Sequence, residues 1–179
     1  MSRLKKSVVL IGMMGAGKSA VGAALARHLS VPFVDTDDEI ERAADRTISE
    51  IFAHHGEAFF RAREAEVLAR LLRGAPSVMS TGGGAFLAEH NRDIITREGV
   101  SVWLRADLET LWQRVRHKNT RPLLRTENPR AVLADLLKTR SPIYAEANLI
   151  VDSRAGLSID AMARHVRTAL AARPDVLED

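Results

Sequence analysis

Gly12-Met13-Met14-Gly15-Ala16-Gly17-Lys18-Ser19 runs glycine, four residues, then Gly-Lys-Ser, the spacing of a phosphate-binding P-loop. Its glycines let backbone N–H groups close around phosphate oxygens, Lys18 brings a mobile charge to the β and γ phosphates, and Ser19 offers a hydroxyl to Mg²⁺. Such a motif counts only in context. Before it, Ser7-Val8-Val9-Leu10-Ile11 has the length and β-branched content of a buried strand, and after it residues 20–29 continue as an amphipathic helix. Strand, loop and helix therefore stand in the order a nucleotide site requires. The backbone of Gly15, Ala16, Gly17, Lys18, Ser19 and Ala20 is predicted to cradle the phosphates.

The same alternation continues along the chain. Pro32-Phe33-Val34-Asp35, Ser77-Val78-Met79-Ser80, Val100-Ser101-Val102-Trp103-Leu104 and Leu149-Ile150-Val151 read as four further strands. Between them, helical patterns cover residues 38–44, 47–55 and 57–73, and Leu108, Leu111, Trp112 and Val115 recur at helical spacing. Pro129 suits a helix N1 position, with that helix expected to end near Ser141-Pro142, and Ser158 is the predicted N-cap of a last helix carrying Ile159, Met162, Val166 and Leu170 inward. Repeated strand–helix units imply a three-layer α/β fold of the P-loop kinase kind, a five-stranded parallel sheet flanked by helices, with ligands at the carboxyl ends of its strands. From residues 117 to 128 periodicity disappears, and the polar segment with Pro122 inside reads as a mobile lid.

Length and composition narrow the function classes. A chain of 179 residues suits one domain, residues 1–179, with no internal repeat or dividing linker. A net charge of +3, scattered arginines and few aromatics argue against a nucleic-acid partner, and no apolar run approaches a membrane span. The absence of cysteine excludes disulfides and thiolate metal sites and permits a cytoplasmic location.

The loops leaving the P-loop strand and its neighbours should meet in one crevice. Asp35 and Asp37, two apart in a segment read as extended, are expected to point alike, one serving Mg²⁺ and the other a hydroxylated substrate; the alternative is that Asp37 or Asp38 only caps the next helix. Gly82-Gly83-Gly84 strips the side chains from a turn, favouring ligand contact over mere flexibility. Arg61 follows Glu57 by four residues, so it is either an exposed helical ion pair or an anion ligand, and Arg140 near a helix end is open to the same choice. Arg121 and Arg125 lie in the lid, where a cation could swing over transferring phosphate. Adjacent His54 and His55 lack metal-ligand spacing.

Taken in order, the P-loop, Phe33-Val34-Asp35-Thr36-Asp37 with Ile40-Glu41, Gly56-Glu57 with Phe60-Arg61 and Glu64, Thr81-Gly82-Gly83-Gly84, Arg121-Pro122-Leu123-Leu124, and Arg140 with Pro142 and Tyr144 resemble shikimate kinase over essentially the whole chain. The resemblance implies transfer of the γ-phosphoryl group of ATP to the 3-hydroxyl of shikimate, a step towards chorismate and the aromatic amino acids, in a monomer. It assigns Lys18 to the phosphates, Ser19 and, through water, Asp35 to Mg²⁺, and Asp37 to the acceptor's hydroxyls and the proton. It further implies a carboxylate clamp of Arg61 and Arg140 completed by backbone of Gly82, Gly83 and Gly84, a lid arginine in Arg121, and an adenine surface formed by Arg114 with Ser153 and Arg154. A gluconate or nucleoside-monophosphate kinase of the same fold gives no reason for Asp37, the triple glycine, Arg61 and Arg140 together. A silent sensing module gives none for retaining Lys18, Asp35 and Asp37.

Overall fold

In the computed structural model, which describes residues 1–117 and 125–179, the apolar runs become a parallel sheet of five strands. Its strands are β2 (Ser7–Ile11), β3 (Phe33–Asp35), β4 (Val78–Ser80), β5 (Gly99–Arg105) and β6 (Leu149–Asp152), in spatial order β3-β4-β2-β5-β6. A separate antiparallel pair, β1 (Arg3–Leu4) with β7 (Leu177–Glu178), joins the two ends of the chain. All five residues of β2 are buried, as are the first six of β5, so helices must cover both faces of the sheet's centre. Having laid β3 and β4 on one side of β2, the chain crosses to place β5 and β6 on the other. That reversal opens a crevice at the carboxyl end of β2, where the P-loop begins.

Helices α1 (Lys18–Leu29), α2 (Thr36–Ala44), α3 (Ile48–Leu72), α4 (Glu89–Glu98), α5 (Leu108–Val115), α6 (Pro129–Tyr144) and α7 (Ile159–Ala171) supply the connections. The two helical patterns separated at Gly56 stay two helical runs within α3, because Gly56 takes φ 82° and ψ 175°, outside the helical region, and kinks the chain between them. A small second core of Ile40, Ile51, Phe60 and Val67 joins α2 to α3. It holds the two helices to each other, and with them the segment that carries Arg61.

Several expectations are corrected. The helix after β3 begins at Thr36, directly at the strand's end, because the Asp35 side chain accepts from the backbone N–H groups of Asp37 and Asp38 at 2.9 and 3.4 Å. The cap is thus Asp35, rather than Asp37 or Asp38. Helix α6 runs past Pro142 to Tyr144; so near its end, the missing N–H affects only the last turn, where Ser141 Oγ donates to the Leu137 carbonyl at 2.5 Å. Ser158 does cap α7, and Met162, Val166 and Leu170 are buried, but Ile159, the first residue of the helix, is 52 % exposed and does not join the core. Helix α4, preceded by a short 3₁₀ turn at Ala85–Leu87, has no strong periodic signal in its sequence Glu-His-Asn-Arg-Asp-Ile-Ile-Thr-Arg-Glu, where only Asn91 and Ile95 are buried. Of the predicted lid, residues 118–124 lie outside the described residues, and Arg121 with them.

Candidate active site

One cavity of about 790 Å³ occupies the crevice and is lined by the P-loop, Asp35, Asp37, Arg61, Gly82, Gly83, Gly84, Arg114 and Arg140. The P-loop's shape follows from its glycines. Gly15 sits at φ 84°, and a Cβ there would stand 2.7 Å from Val115 Cγ1 on α5. From the same helix Arg114 donates to the Gly15 carbonyl at 3.0 Å and to Ser153 Oγ at 3.1 Å, while Ser153 Oγ donates to the Ala16 carbonyl at 3.2 Å. Lys18 Nζ arches back over the loop, donating to the carbonyls of Gly12 at 2.7 Å and Met13 at 3.1 Å. Ser19, in the first turn of α1, lies 3.2 Å from Ser80 Oγ at the end of β4.

Opposite the loop stand two carboxylates. They face the same cavity for a different reason from that expected: Asp35 ends a strand and Asp37 lies in the first turn of the helix it caps. Burial, then the neighbouring Asp35 and Glu64, push the Asp37 carboxyl up to about 6, against the pull of Lys18. Asp35 is also raised, by burial and by Asp38, with its two backbone hydrogen bonds acting the other way.

The triple glycine answers to close approach. None of the three is in the left-handed region. A Cβ on Gly82 would stand 3.0 Å from Asp37 Oδ1, one on Gly83 2.9 Å from Arg140 Nη1, and one on Gly84 would strike the Arg61 guanidinium, with Nη1 at 2.7 Å. Each glycine therefore makes room for one charged side chain, which lets an acid and two arginines converge on a bare stretch of backbone. We expect Gly84→Ala to push Arg61 aside. KM for a carboxylate-bearing acceptor should rise about tenfold, with nucleotide KM and the thermal midpoint little changed; steady-state kinetics beside a melting curve checks this.

Arg61 combines both readings open to it. Its Nε stands 3.6 Å from Glu57, but Nη1 donates to Glu64 Oε1 at 2.9 Å, and the guanidinium still faces the cavity. Glu64 is only 2 % exposed, and burial pushes its carboxyl above the ordinary range while Arg61 pulls it down. The role of Glu64 as a brace was missed, although its spacing of three residues from Arg61 was available as a signal. Ser153, expected at an adenine surface, proves to be a buried strut between P-loop and α5. Arg154 is not brought to the main cavity; it lines a neighbouring one of about 490 Å³ with Trp103, Arg105 and Asp152.

The fold and this cavity define a small P-loop kinase. The sequence model of the family described as shikimate kinase matches residues 14–171. A shikimate kinase from Cereibacter sphaeroides is 67 % identical over 99 % of this chain and 89 % of its own, and one from Ruegeria pomeroyi is 63 % identical over 98 % and 90 %. The solved shikimate kinase from Acinetobacter baumannii in complex with shikimate superposes with a TM-score of 0.87 at 39 % identity, covering 93 % of each chain. The chain belongs to the shikimate kinase family. A gluconokinase from Sinorhizobium meliloti, at 21 % identity and a TM-score of 0.60, shares the fold alone.

Proposed function

We propose that this cavity holds ATP and shikimate together and that its residues carry the γ-phosphoryl group to the 3-hydroxyl. The observation that carries the reading is the convergence of Asp37, Arg140 and Arg61 on three consecutive glycines, one charged group to each. Shikimate is a small polyhydroxylated carboxylate, so it needs arginine forks at one end and a carboxylate among its hydroxyls at the other. The likeness to a structure in complex with shikimate supports the same assignment.

The substrate oxygen attacks the γ phosphorus as the bond from that phosphorus to the β–γ bridging oxygen breaks, and Asp37 receives the hydroxyl proton. Lys18 leaves the Gly12 and Met13 carbonyls to neutralise phosphate charge, while the P-loop N–H groups hold the remaining oxygens. The donor set fits Mg²⁺, for which two hard oxygens suffice when phosphates and waters complete the shell. Ser19 Oγ and Asp35 both line the crevice; Asp35 caps α2 with Oδ1, so Oδ2 is the oxygen assigned to the ion or its water. Bound there, the ion neutralises charge on the transferring group. Arg121 is assigned to the lid over the phosphates, and Arg114 to the nucleotide side, where its ties to Gly15 and Ser153 hold it.

We further propose that residues 1–179 act as one domain and as a monomer in the cytoplasm, without nucleic-acid or membrane partners; among the described residues no helix is long and apolar enough to cross a membrane. ADP release with Mg-ATP, compared across shikimate, gluconate, nucleoside monophosphates and no acceptor, tests the activity. Turnover with shikimate on the order of 1–100 per second is expected, and ADP formed only with another acceptor overturns the substrate assignment. Arg140→Ala should raise shikimate KM by about 10- to 150-fold, corresponding to about 1.5–3 kcal/mol for a hydrogen bond to a charged group, with ATP KM nearly intact. An unchanged shikimate KM removes Arg140 from the clamp.

A further inference from the structure

Tyr144 closes α6 with its side chain fully buried and its ring 5.8 Å from that of Trp103. Apolar packing accounts for the ring. It does not account for the hydroxyl, which a buried site tolerates only with partners. The surroundings here are specific: the hydroxyl donates to the Gly83 carbonyl at 2.6 Å, and the Arg140 guanidinium lies beside it, Nη1 standing 2.9 Å and the Tyr144 oxygen 3.8 Å from the place a Cβ on Gly83 would take. A carbonyl only accepts, so the Tyr144 O–H is directed at Gly83 and its lone pairs are left to accept; a guanidinium only donates, so Arg140 beside it is placed to extend the chain from Arg140 N–H to the Tyr144 oxygen.

Both ends of that chain line the cavity, while Tyr144 itself does not. At one end it steadies the arginine four residues earlier on its own helix. At the other it holds the peptide between Gly83 and Gly84, whose N–H points opposite to its C=O because the unit is planar and trans. Between glycines such a peptide reorients cheaply, so without a fixed acceptor direction its N–H has no fixed aim. With its carbonyl held by Tyr144, the peptide keeps its N–H turned the opposite way, on a stretch of backbone that both Arg61 and Arg140 approach.

We propose that Tyr144 is a positioning residue for the acceptor's carboxylate, a single hydroxyl that orients both Arg140 and the Gly83–Gly84 peptide. The inference rests on shikimate being the acceptor. Tyr144→Phe keeps the ring and removes only the relay, and its kinetics should be measured beside Arg140→Ala and the double variant. Shikimate KM should rise about tenfold in Tyr144→Phe, as for loss of a charge-assisted hydrogen bond, while ATP KM and kcat at saturating shikimate stay within about twofold. Introduced into Arg140→Ala, the same substitution should raise shikimate KM by markedly less than it does alone, because the two residues act as a unit.

A hydroxyl with only a structural role lowers the thermal midpoint and leaves the two KM values in their wild-type ratio; that outcome overturns the proposal, as does an unchanged shikimate KM or a full multiplication of effects in the double variant. If the wild-type protein releases no ADP with shikimate, the acceptor assignment fails by itself. The same variants are then read on the carboxylate acceptor that does support turnover, and dependence of Tyr144→Phe on that carboxylate decides the relay.

Discussion

Asp37→Asn is expected to lower kcat by about 10²- to 10⁴-fold, the contribution of a positioned general base, and at the same time to make the protein more stable. Both effects come from one environment. Burial and the charges of Asp35 and Glu64 raise the Asp37 carboxyl to about 6, which brings it near the pH at which it must take up a proton. The native state then binds a proton more readily than the unfolded chain, so stability falls as pH rises from the ordinary carboxyl value, 3.8, to about 6. Above that window the ionised group costs at most about 3 kcal/mol, which an amide does not incur. A melt at pH 8 should therefore show Asp37→Asn above wild type by about 2–6 °C, with the difference shrinking towards pH 4. In the wild type, kcat/KM should decline about tenfold per pH unit below about 6 as Asp37 protonates, and the amide variant should lose that limb. A near wild-type kcat in Asp37→Asn sinks its role as proton acceptor.

Lys18→Met should reduce kcat by about 10²- to 10³-fold, the usual loss when one preorganised charge on a transition state is removed. The reason lies in where the ammonium rests. Its hydrogen bonds to the Gly12 and Met13 carbonyls hold it at the mouth of the loop, so phosphate oxygens take it over from neutral acceptors a few ångströms away. Losing the two carbonyl contacts should alter stability by only about 1 kcal/mol, since the loop is independently braced by Arg114 and Ser153. Shikimate binding is expected to survive, because Arg61, Arg140 and the glycines lie across the crevice; a calorimetric titration with shikimate alone measures it. A kcat within tenfold of wild type in Lys18→Met contradicts the assignment.

The sequence by itself determined the parallel sheet and the position of its crevice. Those features depend on local signals: buried β-branched runs of strand length, a Gly-Lys-Ser turn at a helix start, and strict strand–helix alternation. It also determined which residues were candidates, because the charged groups and the triple glycine carry their chemistry in their types. The tertiary structure decided how those groups cooperate. Asp35 turned out to be the helix cap, Glu64 the brace of Arg61, Ser153 a strut and Tyr144 the donor to the Gly83 carbonyl. The pairs Ser153–Ala16 and Tyr144–Gly83 join residues 137 and 61 positions apart, separations at which no periodicity or capping rule operates. Arg154, assigned by its place in the chain to the adenine surface, lines the neighbouring cavity, a placement that no local pattern announces. Burial acts the same way on charge. The rise of Asp37 to about 6 depends on desolvation and on a glutamate from another helix, neither of which exists until the chain has folded.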